Sequence, residues 1–354
     1  MFPTILTRKL TAVGAALSCS IVLVACGSSD PSETADQSSD GKFVVYSPQG
    51  DGTRGDFMTT RAKEELGVDV QFVTGGGGDL TSRIKQEKHN SQADLVLGVG
   101  EAQLAELDAE GLFEPYTPEW ADKIPSEFAR EDAGYTLFSQ TPVVMAYNPE
   151  VMSESEAPSR WEDLAKPEYK DKFVLPSVTG QTGQAFMVGV LWRYADPVTG
   201  EVSDEGWETL EGIMSNSLQL AQGEKFDWNR VVSGEVPIHV SWLGGIQVAA
   251  EDFGITMEPI DAEGGSPFVN TGVGVIKGGD TGQAQEFIDW FGSAQLQTEF
   301  VNETNNDTPL NEDALKNLPE QRASIESVTP QEIDWAVVSE NLTEWMQRVQ
   351  LQVI

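Results

Sequence analysis

The chain has 354 residues, with 22 Lys+Arg against 57 Asp+Glu and a formal net charge of −35 at pH 7. This acidic balance argues against nucleic acid, because phosphate contacts need basic side chains, and against adhesion to anionic lipid headgroups; it serves solubility and can mildly steer cationic solutes. With 2 Cys and 2 His, the sequence has no disulfide framework, no HExxH zinc site and no nucleophile motif.

Arg8 and Lys9 precede an apolar stretch that starts near Leu10 and closes on Leu23-Val24-Ala25-Cys26. A basic start, an apolar centre and a small-residue exit define an export signal, and the closing run reads as a lipobox. Residues 1–25 are therefore expected to be removed and Cys26 to carry lipid, which anchors the chain without spanning the membrane. The run has roughly sixteen apolar residues, broken by Ser18, Cys19 and Ser20, where a spanning helix needs about 20. Loss of Arg8 and Lys9 takes 22 basic residues to 20 against 57 acids. Cys19 leaves with the signal and Cys26 is acylated, so no thiol remains for sulfur chemistry. Residues 26–41, rich in Ser, Asp and Gly, read as a flexible tether. The remainder is a natural size for two lobes.

Phe43-Val44-Val45-Tyr46-Ser47 is expected to be a buried strand, followed by Gly50-Asp51-Gly52-Thr53 and a helix ended by Gly67. Val70–Val73 leads into Thr74–Gly78 and a helix near Asp79 to Lys88. Asp94–Gly98 leads into a helix through Glu101 to Glu110. Strands alternating with helices predict a parallel, layered α/β sheet. Thr141 to Asn148 reads as a strand, after which a second α/β region holds the strands Phe173–Ser177 and Val236–Trp242, with an apolar helix after Gly183. Phe268–Val275 is a glycine-bearing strand suited to a return crossing. Thr329-Pro330-Gln331-Glu332 has capping-box form ahead of a helix whose Trp335, Val338, Leu342, Trp345 and Val349 share a face, expected to pack on the body.

Ser47 to Thr53, Thr74 to Asp79 and Ser177 to Gly183 share one design: a strand end, a Gly/Ser/Thr loop and a helix start. A helix first turn leaves backbone N–H groups unpaired and carries partial positive charge, so small residues there admit an anion or polar ligand. In open α/β sheets such loops gather at strand carboxyl ends, and three of them from two lobes would make a cleft. The same glycines also serve ordinary turns, and no Walker or full Gly-x-Gly-x-x-Gly motif is present. Asp51, Asp56 and Asp79 read as caps or first-turn acids, or as partners of a cationic ligand. Trp242 ends a strand before Gly244-Gly245 and offers a ligand a flat face, with core packing as the alternative. Trp161, Trp192, Trp207 and Trp228 read as core. His89 reads as a solvated helix end, and His239 as a hydrogen-bonded structural residue in a strand.

Ser47-Pro48-Gln49-Gly50-Asp51-Gly52, Thr141–Pro149, Trp161-Glu162-Asp163-Leu164 with Pro167–Lys172, and Ser233–Ile238 together resemble the extracellular solute-binding proteins of bacterial ABC importers. The group in question includes ferric-ion, polyamine, thiamine and phosphonate binders, and the resemblance runs over nearly all of residues 42–354. It implies a type II periplasmic-binding fold, α/β throughout, with two lobes closing on one solute and docking on a permease with its ATPase. The implied organisation is lobe 1 over 42–145 and 269–310, lobe 2 over 146–268, and a C-terminal helical segment over 311–354. No catalysis and no cofactor or metal are implied, and a lipid-anchored monomer on the outer face of the cell membrane, or in the periplasm, is expected.

Ferric binders of the group use adjacent tyrosines, and here Tyr46, Tyr116, Tyr135, Tyr147, Tyr169 and Tyr194 are isolated, which speaks against a tyrosinate iron site and leaves a carboxylate or anion-assisted one as the ferric alternative. The Gly/Thr loops favour a phosphorylated or carboxylated solute, while acidity and tryptophans leave thiamine or a polyamine open. The expected ligand donors are Ser47, Gly50, Asp51, Gly52, Thr53, Gly75, Gly76, Thr179, Gly180, Gln181 and Thr182, with Trp242 as cover and Asn270 and Thr271 near the hinge. A secreted hydrolase would need a nucleophile, base and orienting group; a structural cell-wall lipoprotein would show no ligand-dependent closure.

Overall fold

The computed structural model describes residues 42–353 except 131, 220–225 and 305–306; the export signal, Cys26 and the tether lie outside the described residues. β1 (Phe43–Tyr46), α1 (Gly52–Glu65), β2 (Val70–Val73), α2 (Gly77–Gln86), β3 (Leu95–Gly100) and α3 (Glu101–Ala109) give the alternation read from the sequence. β1 runs parallel to both β2 and β3. β3 is buried along its whole length, which suits its near-continuous apolar sequence. β4 (Phe113–Glu114) and the long β5 (Tyr135–Tyr147) follow. Next come β6 (Phe173–Val174), α4 (Gln181–Trp192), α5 (Asp204–Asn216), α6 (Asn229–Val232), β7 (Ile238–Trp242), α7 (Leu243–Phe253), β8 (Glu258–Ile260) and β9 (Phe268–Ile276). The chain ends with α8 (Thr281–Phe291), α9 (Ala294–Thr304), β10 (Thr308–Pro309), α10 (Glu312–Leu315), α11 (Pro319–Glu326) and α12 (Trp335–Arg348).

The main sheet path is β2-β1-β3-β9-β5-β7-β6. The all-parallel expectation holds for β1 to β3 and for β6 with β7, but β9 is antiparallel to β3 and β5, and β5 to β7. The reason is that β5 and β9 are crossings between two separate cores. Tyr135–Pro142 of β5 pair with β9, and Val143–Tyr147 pair with β7. One core gathers Phe43, Tyr46, Leu95, Leu97, Phe287 and Phe291, and takes Leu137 from β5 and Val273 from β9. The other gathers Trp161, Phe186, Leu210, Val240 and Trp345, and takes Met145 from β5 and Val269 from β9. Burying each such large apolar side chain stabilises by about 1.5–3 kcal/mol, so each lobe has its own support and the crossings join the two. The fold is a two-lobed α/β architecture of the type II periplasmic-binding class.

Of the boundaries that differ from the sequence reading, three have a clear physical cause. β5 begins at Tyr135 and not at Thr141, because residues before Thr141 find partners on β9. β6 stops at Val174, two residues before Pro176, which has no N–H for a ladder. The C-terminal helix does not start with a capping box at Thr329. Thr329 donates its N–H and hydroxyl to Asp261, Gln331 N–H goes to the Ser266 carbonyl, and this stretch runs as a docked extended segment. Asp334 caps the helix instead, accepting from the N–H groups of Ala336 and Val337. The apolar stripe is placed as read, with Val338, Leu342, Trp345 and Val349 buried in the second core. α12 also rests on α3, so it touches elements of both lobes.

Candidate functional site

β3 carries a register shift between Leu97 and Val99 against β9. Gly98 is the extra residue, at φ +75°, and a Cβ there would lie 2.8 Å from the Gln49 side chain. Such a bulge re-aims the local backbone, and here it lets the Gln49 amide pack against the strand. Ser47 fixes the Gln49 backbone from below: its hydroxyl oxygen accepts the Gln49 main-chain N–H at 3.0 Å.

Above Gln49 lies a cavity of about 300 Å³ between the two cores. From the first core it is lined by Gln49, Arg54, Gly75, Gly76 and Gly98, and by Asp307 just ahead of β10. Gly180, Gln181, Thr182 and Trp242 line it from the second core, and Thr141 and Thr271 from the crossing strands. A second, more open space of about 490 Å³ shares Arg54 and Trp242 and adds Asp51, Gly52, Thr53, Trp228, Asp252 and Phe253. The Arg54 guanidinium sits 5.9 Å from the centre of the Trp242 ring, a cation–π approach made across the cleft. Gly245 gives that indole its seat, since a Cβ there would lie 2.5 Å from the ring.

The electrostatics are set by backbone as much as by side chains. α1, α2, α4 and α7 all begin at these spaces, at Asp51, Gly76, Gly180 and Trp242, and none of these N-caps satisfies its helix with a side chain. First-turn N–H groups with no intrahelical acceptor and the positive end of each helix dipole therefore face the cavity region. Arg54 adds a full positive charge. Asp307 is buried, and desolvation pushes its carboxyl up to about 6, with Arg54 pulling the other way.

The structure brings together Gly75, Gly76, Gly180, Gln181, Thr182, Trp242 and Thr271 in the inner cavity, and Asp51, Gly52 and Thr53 in the outer one. Ser47 is fully buried beneath Gln49, and Gly50 is pressed on Phe72, where a Cβ would lie at 2.7 Å; neither lines the cavity. Thr179 is at the cleft edge, its carbonyl 3.2 Å from where a Gly76 Cβ would be. Asn270 turns the other way and donates to Glu101 at 2.9 Å. Arg54, Gln49, Asp307 and Thr141 line the cavity without being among the ligand residues expected from sequence. Asp307 had no local signal, since it lies 258 positions from Gln49 in the chain.

Two aromatic readings are corrected. Trp228 is not core: it is half-buried, lines the outer space and stacks on His239 at 4.4 Å. His239 is in a strand as expected, but its Nδ1 is buried without a hydrogen-bond partner, and desolvation pushes its pKa down to about 4. The six tyrosines lie away from the inner cavity. Tyr46 donates to Glu87, Tyr116 to Asp289 and Tyr147 to Glu258. Burial raises Tyr46 to about 12, and the bond to Glu258 raises Tyr147 likewise to about 12, so these phenols are held protonated.

Among the described residues no helix is long and apolar enough to cross a membrane. A family model for bacterial extracellular solute-binding proteins matches residues 90–330. A probable ABC transporter periplasmic-binding protein of Sinorhizobium fredii is 36% identical over 317 residues, covering 88% of this chain and 86% of that protein. Iron uptake protein A1 of Synechocystis is 27% identical over 326 residues, with the same coverage of 88% and 86%. The periplasmic binding protein AfuA of Actinobacillus pleuropneumoniae superposes with a TM-score of 0.73 at 18% identity, over 89% of this chain and 99% of that one. The Sinorhizobium and Actinobacillus relatives are both described as periplasmic binding proteins. The chain belongs to the family of bacterial extracellular solute-binding proteins.

Proposed function

We propose that this chain is the receptor of an ABC importer and that its solute is a small organic anion, phosphorylated or carboxylated, held between the lobes. The importer role follows the Sinorhizobium relative. The observation that carries the solute class is the meeting of Arg54 with the starts of α2 and α4 at one cavity, bringing positive charge and unpaired N–H groups from both lobes. An anion bound there bridges the lobes, so its binding energy goes directly into closure. The outer space, with Trp228 and Trp242, then takes the organic remainder of the solute.

The iron uptake relative raises ferric ion as the competing cargo. Among the described residues no group of three or more His, Cys, Asp or Glu is placed to hold a metal, and no tyrosine lines the inner cavity. Thiamine and polyamines, as cations, would meet the Arg54 charge. The lipobox reading makes Cys26 the anchor that keeps the receptor at the outer face of the membrane, as a monomer; Cys26→Ala should release the protein from the membrane fraction.

Titration calorimetry tests the solute class. Inorganic phosphate and small phosphonates should bind, and Arg54→Gln should weaken them roughly tenfold to a hundredfold, the size of a charge-assisted hydrogen bond. Ferric citrate, thiamine or spermidine binding tightly while no anion binds would overturn the reading.

A further inference from the structure

The cavity wall also holds a buried acceptor without a partner beside a buried carboxylate whose donor from Gln49 is distant. Gln49 is 3% exposed, and its Oε1 is buried with no hydrogen-bond partner, while its Nε2 reaches Asp307 only at 3.4 Å. Asp307, 9% exposed, stands on the same wall near Arg54. Buried polar atoms are nearly always paired in a native structure, so an orphan acceptor at a ligand cavity marks what the ligand must bring. A solute made only of acceptor oxygens would leave Gln49 Oε1 unpaired and set its charge against the Asp307 carboxylate. A solute with an N–H or O–H group beside its anionic head would donate to both while the head faces Arg54 and the helix starts.

Resting on the anion reading above, we propose that Gln49 and Asp307 form an acceptor pair that selects anions bearing a neighbouring ammonium or hydroxyl donor. The pair works as a specificity filter. Bidentate satisfaction of two buried acceptors discriminates strongly against an analogue that lacks the donor, because the loss is an unpaired polar group and not merely a missing contact. Gln49 is held for this task by Ser47 below and by the Gly98 bulge beside it. The Ser47-Pro48-Gln49-Gly50 run thus positions an acceptor, where the sequence reading expected donors.

The test compares four probes on the purified full-length protein in detergent: inorganic phosphate, ethylphosphonate, 2-hydroxyethylphosphonate and 2-aminoethylphosphonate. The last two should bind at least about tenfold more tightly than ethylphosphonate, the effect of one well-made bond to a charged or buried acceptor. Asp307→Asn should reduce the preference for the ammonium compound over ethylphosphonate to within about threefold, read as a ratio of affinities within the variant. The wild-type ratio stands as a test even if a variant fails to fold, and each variant's thermal midpoint without solute reports its folding. Ethylphosphonate binding as well as its donor-bearing analogues would overturn this inference and leave the anion reading intact. Failure of all four probes would overturn the phosphorylated form of the anion reading and this inference with it.

Discussion

Arg54 and Trp242 come from different lobes and meet over the cavity, while Asp307 and His239 carry the strongest burial effects near it. These two titrate in opposite senses. Asp307 is raised to about 6, so the folded chain keeps its proton where the unfolded chain has lost it. Its stability contribution is full below the unfolded value of about 3.9 and is lost as pH rises through 6. His239 is depressed to about 4, so the unfolded chain takes up the proton first, and stability is lost as pH falls from about 6.5 through 4. Over pH 4 to 6 the two slopes offset each other. Relative to wild type, Asp307→Asn should gain stability as pH rises from 4 to 7, and His239→Gln should gain as pH falls over the same range. Each difference is on the order of 1–3 kcal/mol, read by denaturant titration at a series of pH values; profiles parallel to wild type would contradict the burial argument. The sequence made Trp242 legible, because a strand end before two glycines is a local pattern. It did not make Asp307 legible, because its place depends on the chain returning from the second crossing to sit beside Gln49.

The glycine loops read from sequence do two kinds of work. Gly76 and Gly77 start α2, and a Cβ on Gly77 would lie 2.7 Å from the Gln181 side chain. Gln181 in turn donates to the Gly98 carbonyl at 3.1 Å, and Gln103 donates to Gln184 at 2.5 Å. All of these contacts join α2, α3 or β3 of one lobe to α4 of the other, so the small residues permit close approach as well as an open anion site. Gly77→Leu should hold the lobes apart and weaken solute binding by about tenfold or more, with little change in the thermal midpoint without solute. Undiminished affinity would show that this edge does not close. The C-terminal helix gives a second case. Its apolar stripe was legible by period alone, whereas its start was not, because Thr329 finds Asp261 only in the folded molecule. Trp345 is 4% exposed, and Trp345→Ala should cost about 3–5 kcal/mol by chemical denaturation; a loss below about 1 kcal/mol would mean that α12 is not integral to the second lobe.

At the scale of the molecule, two cores joined by β5 and β9 leave the inner cavity and the outer space between them, and α12 braces elements of both. The alternation of strands and helices made the α/β class readable, and the Thr141–Asn148 and Phe268–Val275 runs marked the crossings. Their antiparallel pairing was not readable, since it depends on which core each strand end enters. A solute that touches both lobes stabilises the closed form by its affinity for that form alone, and a ligand at a hundred times its dissociation constant adds about 2.7 kcal/mol to folding stability. The thermal midpoint of the purified protein should therefore be measured against rising concentrations of phosphonates, sugar phosphates, thiamine, spermidine and ferric citrate. Our account predicts a concentration-dependent rise with at least one organic phosphate or phosphonate, abolished in Arg54→Gln. A rise with ferric citrate or a cation alone, persisting in Arg54→Gln, would contradict it.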